Sequence, residues 1–231
     1  MQKIIITIIT IFFGYNLLFA QDEQEMQRFK VGLTGGLSVY FVSELKDINT
    51  QVINASPFNL QTVNNFPPTI FYGGFILNRM GKRIYFGPSY SFYTTGSRLG
   101  IKDYSGSYRF DQILSAHSPG GQFEILLFTK NKINIYFEPT AGAHFATWKM
   151  DELLKVGDEK VSDEQKLKAV KPFIYPAFKI AVPVYSHLQV ALKAGYSFDL
   201  AGKYKTGNMK SDIKAPFSGP RISVVLEDGF F

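Results

Sequence analysis

The sequence predicts an all-β fold: an eight-stranded antiparallel up-and-down β-barrel that crosses a membrane. Three observations predict it. Apolar and polar residues alternate in eight runs between Phe29 and Phe231, the period of two that marks a half-buried strand. Tight turns and long polar connections alternate between the runs. The first twenty residues read as an export signal.

In that leader Lys3 is the only charge before Asp22, Ile4 to Phe19 are overwhelmingly apolar, and a small Ala20 precedes Gln21-Asp22-Glu23. Cleavage is expected after Ala20, although Leu18 is larger than the usual residue three before a cut. The alternative is an uncleaved anchor. The apolar stretch is shorter than the ~20 residues a spanning helix needs, and Asn16 interrupts it. No other segment reaches that length, which excludes a helical membrane protein. Residues 1–20 are therefore assigned to the signal, 21–27 to a short N-terminal segment and 28–231 to the barrel.

The first run puts Phe29, Val31, Leu33, Leu37, Val39 and Phe41 on one face, with Lys30, Thr34, Ser38 and Tyr40 opposite. The second, about Thr69 to Met80, places Phe71, Phe75 and Leu77 together. Gly81-Lys82 turns it into the third, where Ile84, Phe86, Tyr90 and Phe92 share a face. The fourth starts near Tyr108 and ends with Phe123, Ile125 and Leu127 opposite Gln122 and Glu124. After a turn at Thr129 to Lys132, the fifth carries Ile133, Ile135, Phe137, Ala141, Ala143 and Phe145 against Asn134, Tyr136, Glu138 and His144. The sixth alternates Ile174, Phe178, Ile180 and Val182 with Tyr175 and Lys179. Tyr185-Ser186-His187 lead to the seventh, with Leu188, Val190, Leu192, Tyr196 and Phe198 opposing Gln189, Lys193 and Asp199. The eighth sets Ile222, Val224 and Leu226 against Arg221, Ser223 and Glu227.

Four connections are long and polar: about Ser43–Pro68, Gly96–Ser107, Lys149–Ala169 and Ala201–Ala215. Three are tight turns. Barrels of the bacterial outer membrane are built this way, with four long extracellular loops and three short periplasmic turns expected here. The polar face holds both charge signs, and basic residues on a lipid face would cost roughly 2–4 kcal/mol each at the midplane. That face is expected inward, in a lumen only wide enough for side chains. Phe41, Phe71, Phe92, Phe145 and Trp148 toward the loops, and Phe86, Phe128 and Phe137 toward the turns, are candidate interfacial girdles. Pro88, Pro119, Pro139 and Pro176 fall inside the runs, so bulges or strand ends are expected there. The glycine pairs 35–36, 73–74 and 120–121 suit bends or close backbone approach.

Composition agrees. Charged residues are 19% of the chain and aromatics 16%, against about 25% charged in soluble domains. The absence of cysteine excludes disulfides, thiolate metal sites and a Cys nucleophile. The net charge of +6 includes Lys3 and is dispersed, with no basic-aromatic stretch that suggests nucleic-acid binding.

Phe29-Lys30-Val31-Gly32-Leu33-Thr34-Gly35-Gly36 after the leader and the closing Gly219-Pro220-Arg221-Ile222-Ser223-Val224-Val225-Leu226 resemble the small outer-membrane β-barrels called PorT-like. The eight-stranded architecture is also that of OmpA- and OmpX-type proteins. The resemblance covers roughly Arg28 to Phe231 and identifies an architecture rather than an activity. It implies localisation in the cell outer membrane and recognition of the C-terminal strand by the barrel-assembly machinery through a terminal aromatic. Phe231 departs from the pattern: it is out of phase with Ile222, Val224 and Leu226, whereas Phe230 is in phase. Some relatives support secretion, but no motif here assigns that role.

No catalytic, cofactor or metal site is expected. His117 and Ser118 are adjacent, so on a strand they face opposite sides and cannot act as base and nucleophile. His144 faces inward near the loop-side mouth and is read as a hydrogen-bonded lumen residue, and His187 as solvated in a turn. Glu124, Glu138 and Asp199 are read as lumen salt-bridge partners. The charged stretch Asp151–Lys168 is either a partner contact or a solvated loop. The first loop, with Asn49, Asn54, Asn59, Asn64, Phe58 and Phe66, is the better candidate for a protein-binding surface. Arg98, Lys102, Lys203, Lys205 and Lys210 either contact lipopolysaccharide phosphates or form an ordinary surface. The leading function is a non-enzymatic barrel for structure, surface interaction or secretion support. The alternative is a membrane-embedded hydrolase of lipid or peptide, which requires His144 or His117 to meet a Ser and a carboxylate at the rim. A secreted lipocalin-type carrier would instead need an apolar interior.

Overall fold

The computed structural model describes residues 28–40, 42–56, 59–102, 104, 106–185, 187–200, 203–206, 209–214 and 217–230. The signal and N-terminal segments, Phe41, Phe58, Ser186 and Phe231 lie outside them, as do the side chains of Lys203, Lys205, Lys210 and Phe230.

The chain is all-β apart from one helix, with every strand pair antiparallel. In order the elements are β1 (Phe29–Ser38), α1 (Ser43–Ala55), β2 (Gln61–Asn65), β3 (Thr69–Arg79), β4 (Ile84–Lys102), β5 (Gly106–Lys130) and β6 (Ile133–Phe137). There follow β7 (Thr140–Val156), β8 (Glu159–Tyr175), β9 (Ala177–Pro183), β10 (Leu188–Asp199), β11 (Lys203–Thr206), β12 (Met209–Lys214) and β13 (Gly219–Phe230). Pairing runs from β1 through β3, β4, β5, β7, β8 and β10 to β13, which pairs back onto β1 from Phe29↔Phe230 to Ser38↔Arg221. The sheet closes on itself and leaves no edge around its girth.

Its two faces are sorted as the alternation requires. Leu33, Leu37, Phe145, Phe178, Leu192, Ile222 and Val224 are exposed outside, while Lys30, Glu124, Glu138, His144, Lys179, Lys193 and Arg221 are buried inside. On β3 the expected face is reversed. Phe71, Phe75 and Leu77 point inward, and Ile70, Tyr72 and Ile76 are the exposed residues. Both faces of this strand are apolar, so period two gives no sign there. Phe71 and Trp148 (1% exposed) are interior residues rather than members of an outer aromatic girdle.

Much of the expected loop length is strand. Gly96–Ser107 belongs largely to the β4–β5 hairpin, paired in unbroken register as far as Lys102↔Ser107. Lys149–Ala169 is the β7–β8 hairpin, paired from Thr140↔Tyr175 to Val156↔Glu159 around a turn at Gly157-Asp158. The β11–β12 hairpin adds to β8 at Lys205↔Lys168, and β2 adds to β4. From Glu159 to Lys166 β8 pairs with β7 along one edge, and every residue of it is exposed. With both faces in water, no period-two hydropathy is written into that stretch.

The prolines are accommodated by direction. Pro139 separates β6 from β7 and Pro176 separates β8 from β9, at strand ends as expected. The flanking Glu138 and Ala177 exchange backbone bonds of 2.8 and 3.2 Å, and the next antiparallel pair along is a non-bonded one. The missing donors therefore fall on the outer neighbours, where the carbonyls still accept, Pro139 from Phe123 and Pro176 from Tyr196. Pro88 and Pro119 contradict the expectation of a bulge or end: both lie within the continuous β4–β5 register. Each lacks its amide toward the other neighbour, and there the β3–β4 ladder skips Ile76 and Leu77 and the β5–β7 ladder skips Ala143 and His144. Gly36 and Gly73 pack so close to the backbones of Ile222 and Tyr90 that a Cβ would collide.

Candidate functional site

The interior is filled by two charged clusters and a lid. At the short-turn end, strand alternation aims Lys30, Glu124, Glu138, Lys179, Lys193 and Glu227 into one volume. Lys179 and Lys193 are direct cross-strand neighbours, a destabilising like-charge pair unless carboxylates intervene. They do. The Lys179 ammonium donates to Glu124 and Glu227 at 2.5 Å each and lies 2.9 Å from Glu138, whose other oxygen is 2.6 Å from Lys193. Lys30 pairs with Glu124, donates to the Tyr136 hydroxyl at 3.3 Å and sits over the Tyr85 and Tyr136 rings at 4.4 and 4.5 Å. Three ammonium groups face three carboxylates, so this end is neutral.

Nearer the loop end, Arg221 donates to the Tyr93 hydroxyl at 2.6 Å and the Ser197 hydroxyl at 2.7 Å, ringed by Tyr40, Tyr93, Phe173 and Tyr175 at 4.7–5.9 Å. Beside it, Ser118 Oγ lies 2.6 Å from His144 Nδ1, and His144 Nε2 lies 3.5 Å from Arg221 and 3.7 Å from Asp199 Oδ1. The imidazole stacks on Phe173 with centroids 4.2 Å apart. Asp199 accepts from Lys171 at 3.1 Å and from the Phe217 amide at 2.8 Å.

Above this, α1 folds into the mouth, a feature the first loop was not expected to hold. Its i, i+3, i+4 spacing of Leu45, Ile48, Asn49 and Val52 was the available signal. Leu45 is fully buried among Phe66, Phe71, Leu114 and Trp148. Asn49 donates to Ser97 at 2.6 Å and to Asn65 at 3.2 Å and accepts from Gln112 at 2.6 Å, which in turn accepts from Trp148 at 3.0 Å. Among the described residues, a polar bracket inside an apolar collar packs the mouth.

The residues expected in the lumen are thus brought together, divided between two clusters. Glu227, Tyr85 and Tyr136 complete the lower one. His117 faces outward against the Tyr90 hydroxyl at 2.5 Å and is separated from Ser118, while His187 is exposed. Of the first-loop residues, Asn54, Asn59 and Asn64 are exposed, but Asn49 and Phe66 turn inward and serve the lid. Arg98, read as either a phosphate contact or part of an ordinary surface, donates to both oxygens of Asp111 at 2.6 and 3.0 Å. Among the described residues no group of three or more His, Asp or Glu is placed to hold a metal.

A closed antiparallel sheet, apolar outside and charged inside, defines the class of fold. No family model matches the chain and no curated protein matches it. Among solved structures it is similar to Neisserial surface protein A, at 9% identity and TM-score 0.41, covering 87% of this chain and 97% of that one. It is also similar to Ail, the attachment invasion locus protein of Yersinia pestis, at 10% identity and TM-score 0.34 over 89% and 99%. A third is the translocator domain of the autotransporter NalP from Neisseria meningitidis, at 12% identity and TM-score 0.41 over 97% and 96%. With TM-scores this low, the class rests on the chain's own pairing and burial.

Proposed function

We propose that the chain is an eight-stranded outer-membrane β-barrel of PorT-like or OmpA/OmpX-like architecture, acting without catalysis in structure, surface interaction or secretion support. The eight staves are β1, β3, β4, β5, β6 with β7, β8 with β9, β10 and β13. One observation carries the reading: the girth is apolar outside and holds paired charges inside. An apolar band around the whole girth far exceeds the few hundred Å² a soluble monomer exposes. In this reading the short turns and both chain ends face the periplasm, β13 engages the assembly machinery, and the hairpin ribbons rise outside the cell. There they contact lipopolysaccharide, with Lys102 an exposed cation, or a protein partner. The filled lumen fits an anchor rather than a pore.

The test is inside–outside labelling in lipid vesicles. Cysteines at Leu192 and Ile222 should react with a membrane-confined maleimide, and cysteines at Lys193 and Ser223 should not. Equal labelling would sink the barrel.

The hydrolase reading has one observation in its favour, the contact of Ser118 with His144 and the nearby Asp199. Against it, His144 and Asp199 are too far apart for a hydrogen bond, all three side chains are buried, and α1 and Phe217 lie between them and the mouth. A fluorophosphonate probe is expected to leave Ser118 unmodified in the folded protein; covalent labelling there would establish the hydrolase instead.

A further inference from the structure

Between the two charged clusters lies a cavity of about 30 Å³, lined by Gln122, Thr140, Tyr175, Lys193, Arg221 and Ser223 among others. No carboxylate lines it. Five polar atoms of these residues are buried without a hydrogen-bond partner: Gln122 Nε2, the Thr140, Tyr175 and Ser223 hydroxyls, and Arg221 Nε. All five can donate. Five unpartnered donors on residues that line one cavity are unusual, because buried polar groups are normally satisfied.

Charge counting points the same way. The lower cluster is neutral. Above it, Asp199 pairs with Lys171, and among the described residues no carboxylate lies within ion-pair distance of Arg221, which is 3% exposed. A buried charge is normally paired, and aromatic faces supply only a part of that through cation–π attraction. We propose that this cavity is a binding site for one small monatomic anion of the halide class, chloride under ordinary conditions, held by Arg221 and the surrounding hydroxyl and amide donors. By the measure in which one water needs roughly 10–15 Å³, the space holds two or three waters, which is room for one such ion with part of its hydration.

The experiment uses the full barrel folded in detergent. Crystals grown with sodium bromide should show a bromine anomalous peak between Arg221, Gln122, Thr140 and Ser223. In solution, the unfolding midpoint should rise with chloride or bromide, but not with gluconate at equal ionic strength. Thr140→Val and Ser223→Ala each remove one donor to an ion. Each should raise the half-saturating chloride concentration roughly tenfold while leaving the fold intact. Arg221→Gln should abolish the halide dependence, and the two milder variants keep the test open if it does not fold. No anomalous peak and equal midpoints in chloride and gluconate would overturn the proposal and leave a cavity that holds water only.

Discussion

Replacing Lys179 with Met tests the lower cluster most directly. The ammonium is fully buried, 2.5 Å from Glu124, 2.5 Å from Glu227 and 2.9 Å from Glu138. At an effective dielectric near 20 each contact is worth about 6–7 kcal/mol of gross attraction, most of it offset by the desolvation of the ions. Met fills nearly the same volume, so packing is largely retained. What changes is that three buried carboxylates then face only Lys30 and Lys193. Removing one partner from a buried ion pair typically destabilises by about 3–5 kcal/mol, and a hub with three partners belongs at the upper end. The assay is urea unfolding of vesicle-folded protein, followed by fluorescence of Trp148, the sole tryptophan and one buried in the mouth. A second substitution separates charge from shape: adding Glu124→Gln to Lys179→Met restores a two-against-two balance and should recover roughly half of the loss. A loss under about 1 kcal/mol for Lys179→Met, or no recovery in the double variant, would refute the account of a dry, charge-balanced lumen.

Other outcomes follow from the same geometry. Lys193→Leu should destabilise less than Lys179→Met in that assay, because Lys193 meets one carboxylate, Glu138, at 2.6 Å. Asn49→Ala should cost about 1–3 kcal/mol by stranding Ser97 and Gln112, and hydrogen exchange should show faster exchange throughout α1; unchanged protection would mean the helix is held by its apolar contacts alone. Planar-bilayer recordings should show no stepwise conductance, and deleting Ser43–Ala55 should not create any, because the lower cluster still blocks the lumen. An epitope tag at Asp158 should be accessible on whole cells and one at Asn131 should not; the reverse pattern would invert the orientation.

What could be read from the chain depended on how unlike the two faces of each strand are. On β5, Phe123 and Ile125 alternate with Gln122 and Glu124, and the inward set is unmistakable. The same contrast marks Lys30, Glu138, Lys179, Lys193 and Arg221 as lumen residues. On β3 it vanishes, since Ile70, Tyr72 and Ile76 are as apolar as Phe71, Phe75 and Leu77, and only tertiary packing decides which set lines the interior. The ribbons were hidden for the opposite reason: around Glu159–Lys166 both faces are polar, so hairpin strands look like loops. The contact of Ser118 with His144 joins strands that are adjacent only after folding, and the spacing of 26 residues carries no hint of it. Asn49 could have been placed by its helical period with Leu45, but not its three partners.

The β7–β8 hairpin bears on how such a sequence can drift. Within the girth, one inserted residue between Phe145 and Ala146 would swap inside for outside along the rest of the strand, setting Trp148 on the outer face and Lys149 in the core. Between Glu159 and Lys166 the same insertion meets water on either side and changes nothing but reach. Ten residues from Thr147 to Val156 lift the tip about 30 Å, and that height can lengthen, shorten or change its charges without consulting the wall beneath it. Among descendants of this chain, the tip should be the fast-evolving part, in length as much as in composition, while strand lengths below the mouth stay fixed.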